Sequence, residues 1–411
     1  MSRRSRVPWH AVAAVLALAA VRHAQAGSLA SGLHEFVEQN SSLFVGVADT
    51  LTPLVERLAA RATALPATST VPGFTYVSDV ESGAFERVPG AFGAVLVDRP
   101  ETVGRGVMAI GASYLHADLD EFDGHSLAGE VDFRSRVALN GDVARTRLDF
   151  TEFALTLDTV SPFVTYGLTE RWDASLLLPL MRTRLAARAR RLARVDQAGD
   201  QPAIVIRDTV ALDDDSFGVG DMLLRTKYRL VDDEPIGVAA LLGVRAPTGD
   251  PADFRGLGDW TIEPSLVAAH RFGAHDLHAS LGFEVNADAL ERSRGRYAVG
   301  GAVQLHPRVA ALLDVIGSSA FVADEFTIDA SGTTPRSRFL SRFETRPVEQ
   351  LGGLRVRVFS SVPRTDIVDL AVGAKLQLFS RAAGFVSVLV PIVRDGLRAA
   401  VVPVGGIEFT F

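Results

Sequence analysis

The stretch "GDMLLRTKYRLV" (220–231) decides how the rest of the chain is read. Successive residues of a strand point to opposite faces. Met222, Leu224, Thr226, Tyr228 and Leu230 therefore share one face, and Asp221, Leu223, Arg225, Lys227 and Arg229 share the other. In "LHASLGFEVN" (277–286), Leu277, Ala279, Leu281, Phe283 and Val285 oppose His278, Ser280, Gly282, Glu284 and Asn286. In "LAVGAKLQLF" (370–379), Leu370, Val372, Ala374, Leu376 and Leu378 oppose Ala371, Gly373, Lys375, Gln377 and Phe379. A soluble sandwich also alternates, with its charged face outermost. Strand length and loop rhythm separate the two architectures.

Twelve segments read as strands, near 105–118, 146–160, 171–185, 217–231, 236–247, 258–272, 276–287, 295–306, 308–320, 364–379, 384–394 and 397–411. Most reach the roughly ten residues that a tilted membrane strand needs, against about five or six in globular sheets. Tight connections ("DDEP" 232–235, "GAHD" 273–276, "HPR" 306–308, "SRAAG" 380–384) alternate with mostly longer ones at 119–145, 186–216, 248–257, 288–294 and 321–363. Short turns on one rim and long loops on the other are the rhythm of outer-membrane barrels. An even count puts both termini on the short-turn, periplasmic rim. Fourteen strands result if "FLSRFET" (339–345) and "LRVRVF" (354–359) form one more membrane hairpin.

Composition agrees with an all-β, antiparallel transmembrane barrel over 105–411. Hydrophobic residues make up 47% of the 411, yet after the N-terminus no apolar run is long enough for a membrane helix. Backbone polar groups in lipid must be satisfied within the protein, so helices and closed barrels are the only spanning structures. Residues 1–26 read as a cleaved signal peptide: Arg3, Arg4 and Arg6, an apolar run over Ala11–Val21, then Ala24-Gln25-Ala26. Its loss removes four arginines and takes the net charge from −7 to −11, which argues against a nucleic-acid partner. With no cysteine there is no disulfide framework, thiol nucleophile or thiolate metal site.

Residues 27–104 do not alternate. "LTPLVERLAARATAL" (51–65) has helical periodicity behind Thr52 and Pro53 and is stopped by Pro66; an earlier helical stretch is expected over about 29–47. This segment is expected to plug the lumen or to form a periplasmic extension.

The charged faces would line the lumen and place Asp173, Arg225, Lys227, Arg229, Arg245, Glu263, Glu284, Asp314, Lys375 and Glu408 along a candidate translocation path. Arg245 and Glu263 lie at similar distances from their turns on neighbouring strands and are expected to pair. Mixed signs suit a ladder that cross-links the wall better than a strongly ion-selective pore. Twelve strands fall between a side-chain-filled barrel and an open channel, which favours a narrow path. No cofactor motif is present. "GVGD" (218–221) and "GLGD" (256–259) lead into strands rather than helices and fail the phosphate-loop test. Asp213, Asp214 and Asp215 are either calcium ligands or, more plainly, a solvated acidic loop.

The chain reads as no enzyme, with one hydrolase alternative. Outer-membrane phospholipases carry a His-x-Ser pair and an Asn, which His278, Ser280 and Asn286 resemble; here the pair shares its face with Glu284, toward the lumen. The C-terminal "VVPVGGIEFTF" (401–411), with Ile407, Phe409 and Phe411 on one face, resembles the terminal signature of bacterial outer-membrane barrels. That likeness implies recognition of Phe409 and Phe411 by the barrel assembly machinery.

Several stretches in order, "VLVDRPETVGRGVMAIGASYLHAD" (95–118), "YGLTERWDASLLLPLM" (166–181), "FGVGDMLLRTKYRL" (217–230), "GVRAPTGDPADFRGLGDW" (243–260) and 369–411, resemble the outer-membrane transporters for hydrophobic compounds. This is the fatty-acid and toluene transporter superfamily, and in particular its branch named for the meta-pathway of phenol degradation. The resemblance implies an outer-membrane location, contact with outer-membrane lipid, and passive uptake of a small hydrophobic or aromatic ligand. The alternative from another class is a structural or interaction barrel working through its extracellular loops.

Overall fold

The period-two alternation carries through into a closed antiparallel barrel of twelve strands. The computed structural model describes residues 28–40, 76–78, 85–87, 96–122, 124–128, 132–139, 142–196, 203–233, 235–273, 275–322, 325–329, 344–345, 349–351, 354–360, 366–379 and 381–411. The signal peptide and the helix expected over 51–65 lie outside them.

The barrel strands are β1 (Met108–Leu119), β2 (Asp142–Thr169), β3 (Trp172–Leu177 continued by Leu180–Asp196), β4 (Ile204–Val219 continued by Met222–Asp233), β5 (Ile236–Ala246) and β6 (Thr261–Phe272). They continue as β7 (His275–Asn286), β8 (Arg294–His306), β9 (Val309–Ala320), β10 (Asp366–Phe379), β11 (Ala382–Arg394) and β12 (Val402–Thr410). Each pairs with the next, and β12 pairs with β1 from Val404 opposite Leu115 to Thr410 opposite Ala109. At the seam Met108 N donates to Phe411 O at 3.0 Å and Phe411 N to Met108 O at 2.8 Å. At the second, fourth, sixth, eighth and tenth connections only two residues separate successive strands (170–171, 234–235, 273–274, 307–308, 380–381), so both barrel ends meet on the short-connection rim.

The oily face is outermost. Leu224, Leu242, Leu266, Leu281, Leu313, Val372 and Val386 are exposed outward, while Lys227, Asp314, Lys375 and Glu408 are buried inside. Aromatic side chains mark both edges of this band. Tyr166, Trp172, Tyr228, Phe272, Phe379, Phe409 and Phe411 lie toward the short-turn rim, and Tyr114, Phe217, Trp260, Phe283, Tyr297 and Phe321 toward the other.

Four expectations need correction. First, 186–216 is largely not a loop. β3 and β4 run on as a hairpin, in register from Leu180 opposite Val219 to Val195 opposite Ile204. Within it Asp213 and Asp215 are strand residues bonded to Arg184 and Arg182, which replaces the solvated acidic loop. Second, 119–145 contains a strand, Asp132–Leu139, paired to the 28-residue β2. Third, Leu354–Ser360 pairs with Glu325–Asp329 in a separate sheet, so it adds no membrane hairpin and the count stays at twelve rather than fourteen. Fourth, β12 begins at Val402; Leu397, Arg398 and Ala399 turn inward and are buried, and Leu397–Arg398 pairs with Glu121–Phe122.

The outward face of β1 to β4 changes character along its length. On β2 the outward positions Leu168, Tyr166, Val164, Pro162 and Val160 are followed by Asp158, Thr156 and Glu152. On β3, Trp172, Ala174, Leu176 and Leu180 give way to Arg182, Arg184 and Arg188. The upper parts of β2, β3 and β4 therefore rise out of the apolar band as a wall with charge outside and Leu155, Leu157, Leu185, Ala187 and Ala189 buried inside. Against that inner face packs helix α1 (Leu29–Asn40), the early helical stretch expected from the sequence, through Leu29, Leu33 and Phe36. The Phe36 and Phe150 rings meet edge to face at 6.4 Å.

Candidate functional site

The bore has two unlike walls. Charged residues line β4 to β8, the middle of β9 at Asp314 and the short-turn ends of β3, β10 and β12. Apolar ones line β1 to β3 and β9 to β12, where Leu115, Leu119, Leu157, Leu185, Leu312, Phe385, Leu389 and Val404 join α1 and Leu96 in one buried cluster.

All ten lumen residues named from the sequence point inward, and the strand register joins them into pairs. Arg245 on β5 donates to Glu263 on β6 (Nη2–Oε1 2.6 Å). Glu263 also has Arg225 at 3.7 Å and Arg296 at 4.0 Å, and Arg296 reaches Glu284 at 3.3 Å. Lys375 sits 3.3 Å from Glu408, and Lys227 sits 4.0 Å from Asp173. Arg229 Nη2 donates to the carbonyl of Glu170 at 2.8 Å. Asp314 meets His278 (Nε2–Oδ1 2.8 Å). Arg225, Lys227 and Arg229 thus stand on one face, as alternation requires.

The sequence reading missed what these groups hold. Residues 96–103 cross the short-turn end of the bore, with Arg99 and Val103 buried. Lys227 Nζ donates to the carbonyls of Arg99 (3.1 Å) and Glu101. Arg225 pairs with Asp98 at 3.0 Å, Asp173 Oδ2 accepts from Val103 N at 3.0 Å, and Thr102 Oγ1 donates to Glu170 O at 2.7 Å. Arg271 approaches Glu101 at 3.5 Å. Burial alone would raise the Glu101 pKa, but the charge and hydrogen bond of Arg99 prevail and hold it at about 2. The available signal was "DRPE" (98–101), a charged run with a proline set directly before the first strand.

At the opposite end, Asp253 ties α1 to the wall. Its Oδ1 accepts from Leu29 N at 3.0 Å, and its Oδ2 accepts from Ser216 Oγ at 2.8 Å and Arg255 Nη2 at 2.7 Å. Asp221, from the "GVGD" stretch, accepts from Gly249 N (3.0 Å) and Leu257 N (2.8 Å) and so pins loop 247–260 over the β4 break. Both glycine-rich stretches serve as loop anchors.

The hydrolase candidates are not assembled. His278 is bonded to Asp314 inside the bore, and Asn286 Nδ2 donates to Asp259 at 3.0 Å. Among the described residues no group of three or more His, Asp or Glu is arranged to hold a metal ion.

A family model described as "Putative MetA-pathway of phenol degradation" matches residues 134–306, which span β2 through β8. It meets the resemblance read from the sequence. No curated protein matches the chain. Among solved structures, the NanC porin covers 68% of this chain and 98% of its own at 7% identity, with a TM-score of 0.33. A Pseudomonas aeruginosa FadL homologue covers 78% and 91% at 10% identity and TM-score 0.31. The CymD monoaromatic hydrocarbon channel covers 76% and 90% at 11% identity and TM-score 0.26.

Proposed function

We propose that this protein is a passive transporter of the bacterial outer membrane for small hydrophobic molecules, aromatic ones included. The observation that carries this reading is the two-walled bore. An ion-selecting or general aqueous pore is served by polar lining throughout, whereas here Leu115, Leu157, Leu185, Leu312, Phe385 and Leu389 are buried with α1 and Leu96 in one apolar cluster, a wall that displacement of those N-terminal segments would open to an apolar solute. The phenol-degradation description of the family matched over 134–306 supports aromatic compounds as substrates.

The paired charges of the other wall serve as ladder and clasp. They cross-link β4 to β8 and hold residues 96–103 across the bore, so this segment and α1 act as a plug that must yield for passage. Barrel assembly through the Phe409 and Phe411 end belongs to the same reading. A structural barrel would gain nothing from an apolar conduit closed at both ends by N-terminal segments, and Ser280, turned into the bore beside His278, has no access to bilayer lipid as a hydrolase nucleophile.

The test uses the mature full-length chain in liposomes, with entry of a small aromatic solute and of a sugar of equal size followed by swelling or fluorescence. Faster entry of the aromatic solute supports the proposal. Equal exclusion of both solutes, with and without loosening of residues 96–103, would sink it.

A further inference from the structure

We propose that the projecting wall carries a contact for phosphate-bearing sugar headgroups of outer-leaflet glycolipid, centred on Arg182, Arg184 and Arg188. This rests on the outer-membrane reading above. The border of the apolar band is sharp on four neighbouring strands: Tyr114 is followed outward by His116, Val160 by Asp158, Leu180 by Arg182, and Phe217 by Asp215. The border is hydrogen-bonded across the strands, with Tyr114 Oη donating to Asp158 at 2.6 Å and His116 Nδ1 at 2.9 Å from the same carboxylate. On β6 to β9 the band ends instead on aromatic residues, Trp260, Phe283, Tyr297 and Phe321. The charged outward rows belong to the wall.

Those rows are continuous with the lipid-facing surface, so the first of them stand where acyl chains end and headgroups begin. Arg182, Arg184 and Arg188 occupy one row on β3 with no acid among them, and their side chains are 60%, 55% and 60% exposed. Each is oriented by a carboxylate on a flanking strand, Asp215 (3.0 Å), Asp213 (2.6 Å) and Glu152 (3.2 Å) respectively. A guanidinium has five N–H donors and a carboxylate engages two at most, so each arginine keeps a donor edge for a phosphate, whose geometry it matches. Stability alone is a poor reason for the row, because exposed ion pairs contribute only about 0–1 kcal/mol each.

The experiment floats the mature protein with vesicles of three kinds: phospholipid alone, phospholipid with phosphorylated glycolipid, and phospholipid with the same glycolipid after phosphate removal. Glycolipid retained through detergent extraction is then counted by native mass spectrometry, for the wild type and for Arg182→Gln/Arg184→Gln/Arg188→Gln. The wild type is expected to retain the phosphorylated glycolipid about tenfold better than the dephosphorylated one, equivalent to about 1.4 kcal/mol, and the variant is expected to lose that preference. Equal retention of the two glycolipids by the wild type overturns the inference whether or not the variant folds, as does an unchanged preference in a folded variant. Failure to float with any vesicle would instead sink the membrane reading.

Discussion

Lys227 lies opposite Asp173 on the neighbouring strand, 4.0 Å away, and the two grip the same segment from the wall. Lys227 takes the carbonyls of Arg99 and Glu101, and Asp173 takes the amide of Val103. A buried ion pair is ordinarily a poor source of net stability. Here it also satisfies three backbone groups that would otherwise sit unpaired in the bore, each of which would cost on the order of 1–3 kcal/mol.

Lys227→Met should therefore release residues 99–103. It removes two donors and leaves Asp173 facing an apolar side chain, a loss of about 3–5 kcal/mol for a broken buried pair. Solute entry into liposomes is expected to rise several-fold. Lys227→Met/Asp173→Asn should regain part of the thermal stability while keeping the faster entry. Unchanged entry in a folded Lys227→Met protein would show that the segment does not obstruct the path.

Acid should loosen the same segment through Glu101. A carboxyl held below its ordinary pKa stabilises the state that holds it. The gain is complete above the ordinary value of 4.5 and is lost as pH falls through the folded value of about 2. Titration of Glu101 is expected to add nothing to solute entry from neutral pH to about 4.5 and to raise it below that. Glu101→Gln should be faster at neutral pH and lack the acid step. A wild-type rate independent of pH over that range would rule out Glu101 as a clasp.

Arg245 and Glu263 test the ladder. Removing one member of a buried pair costs about 3–5 kcal/mol, and Arg245→Leu should fall at the lower end because Glu263 keeps Arg225 and Arg296 nearby. Heat-modifiable migration on gels should shift to lower temperature. Arg245→Leu/Glu263→Leu is expected to recover most of the loss, since no uncompensated charge remains. A double variant worse than the single would mean that the pair contributes beyond its own neutralisation.

The barrel was legible because lipid imposes a strict rule on membrane strands: oily residues at every second position and turns at even spacing. Each of the twelve segments has a strand, and Arg245 meets Glu263 where their distances from the turns require. The same rule hid the wall. Above Arg182 no lipid demands an oily face, and "RLAARARRLARVD" (184–196) alternates arginine with small residues, which reads as a charged loop. Its partner Asp208–Asp215 explains it only through a register that one strand cannot reveal. The grip on residues 99–103 was hidden for a related reason: Lys227 bonds to backbone carbonyls more than a hundred positions away, and carbonyls carry no sequence signal.

Phe411 separates thermodynamics from assembly. Deleting Phe411 removes two backbone hydrogen bonds to Met108 at the seam, together about 2 kcal/mol. The register from Ala109 opposite Thr410 to Leu115 opposite Val404 remains to close the barrel. Purified protein lacking Phe411 should accordingly refold in detergent with nearly the wild-type yield. The assembly role proposed for Phe409 and Phe411 predicts that in cells the inserted fraction falls several-fold. Loss of both yields in proportion would show that Phe411 acts through the seam alone, and equal insertion in cells would remove it as an assembly signal.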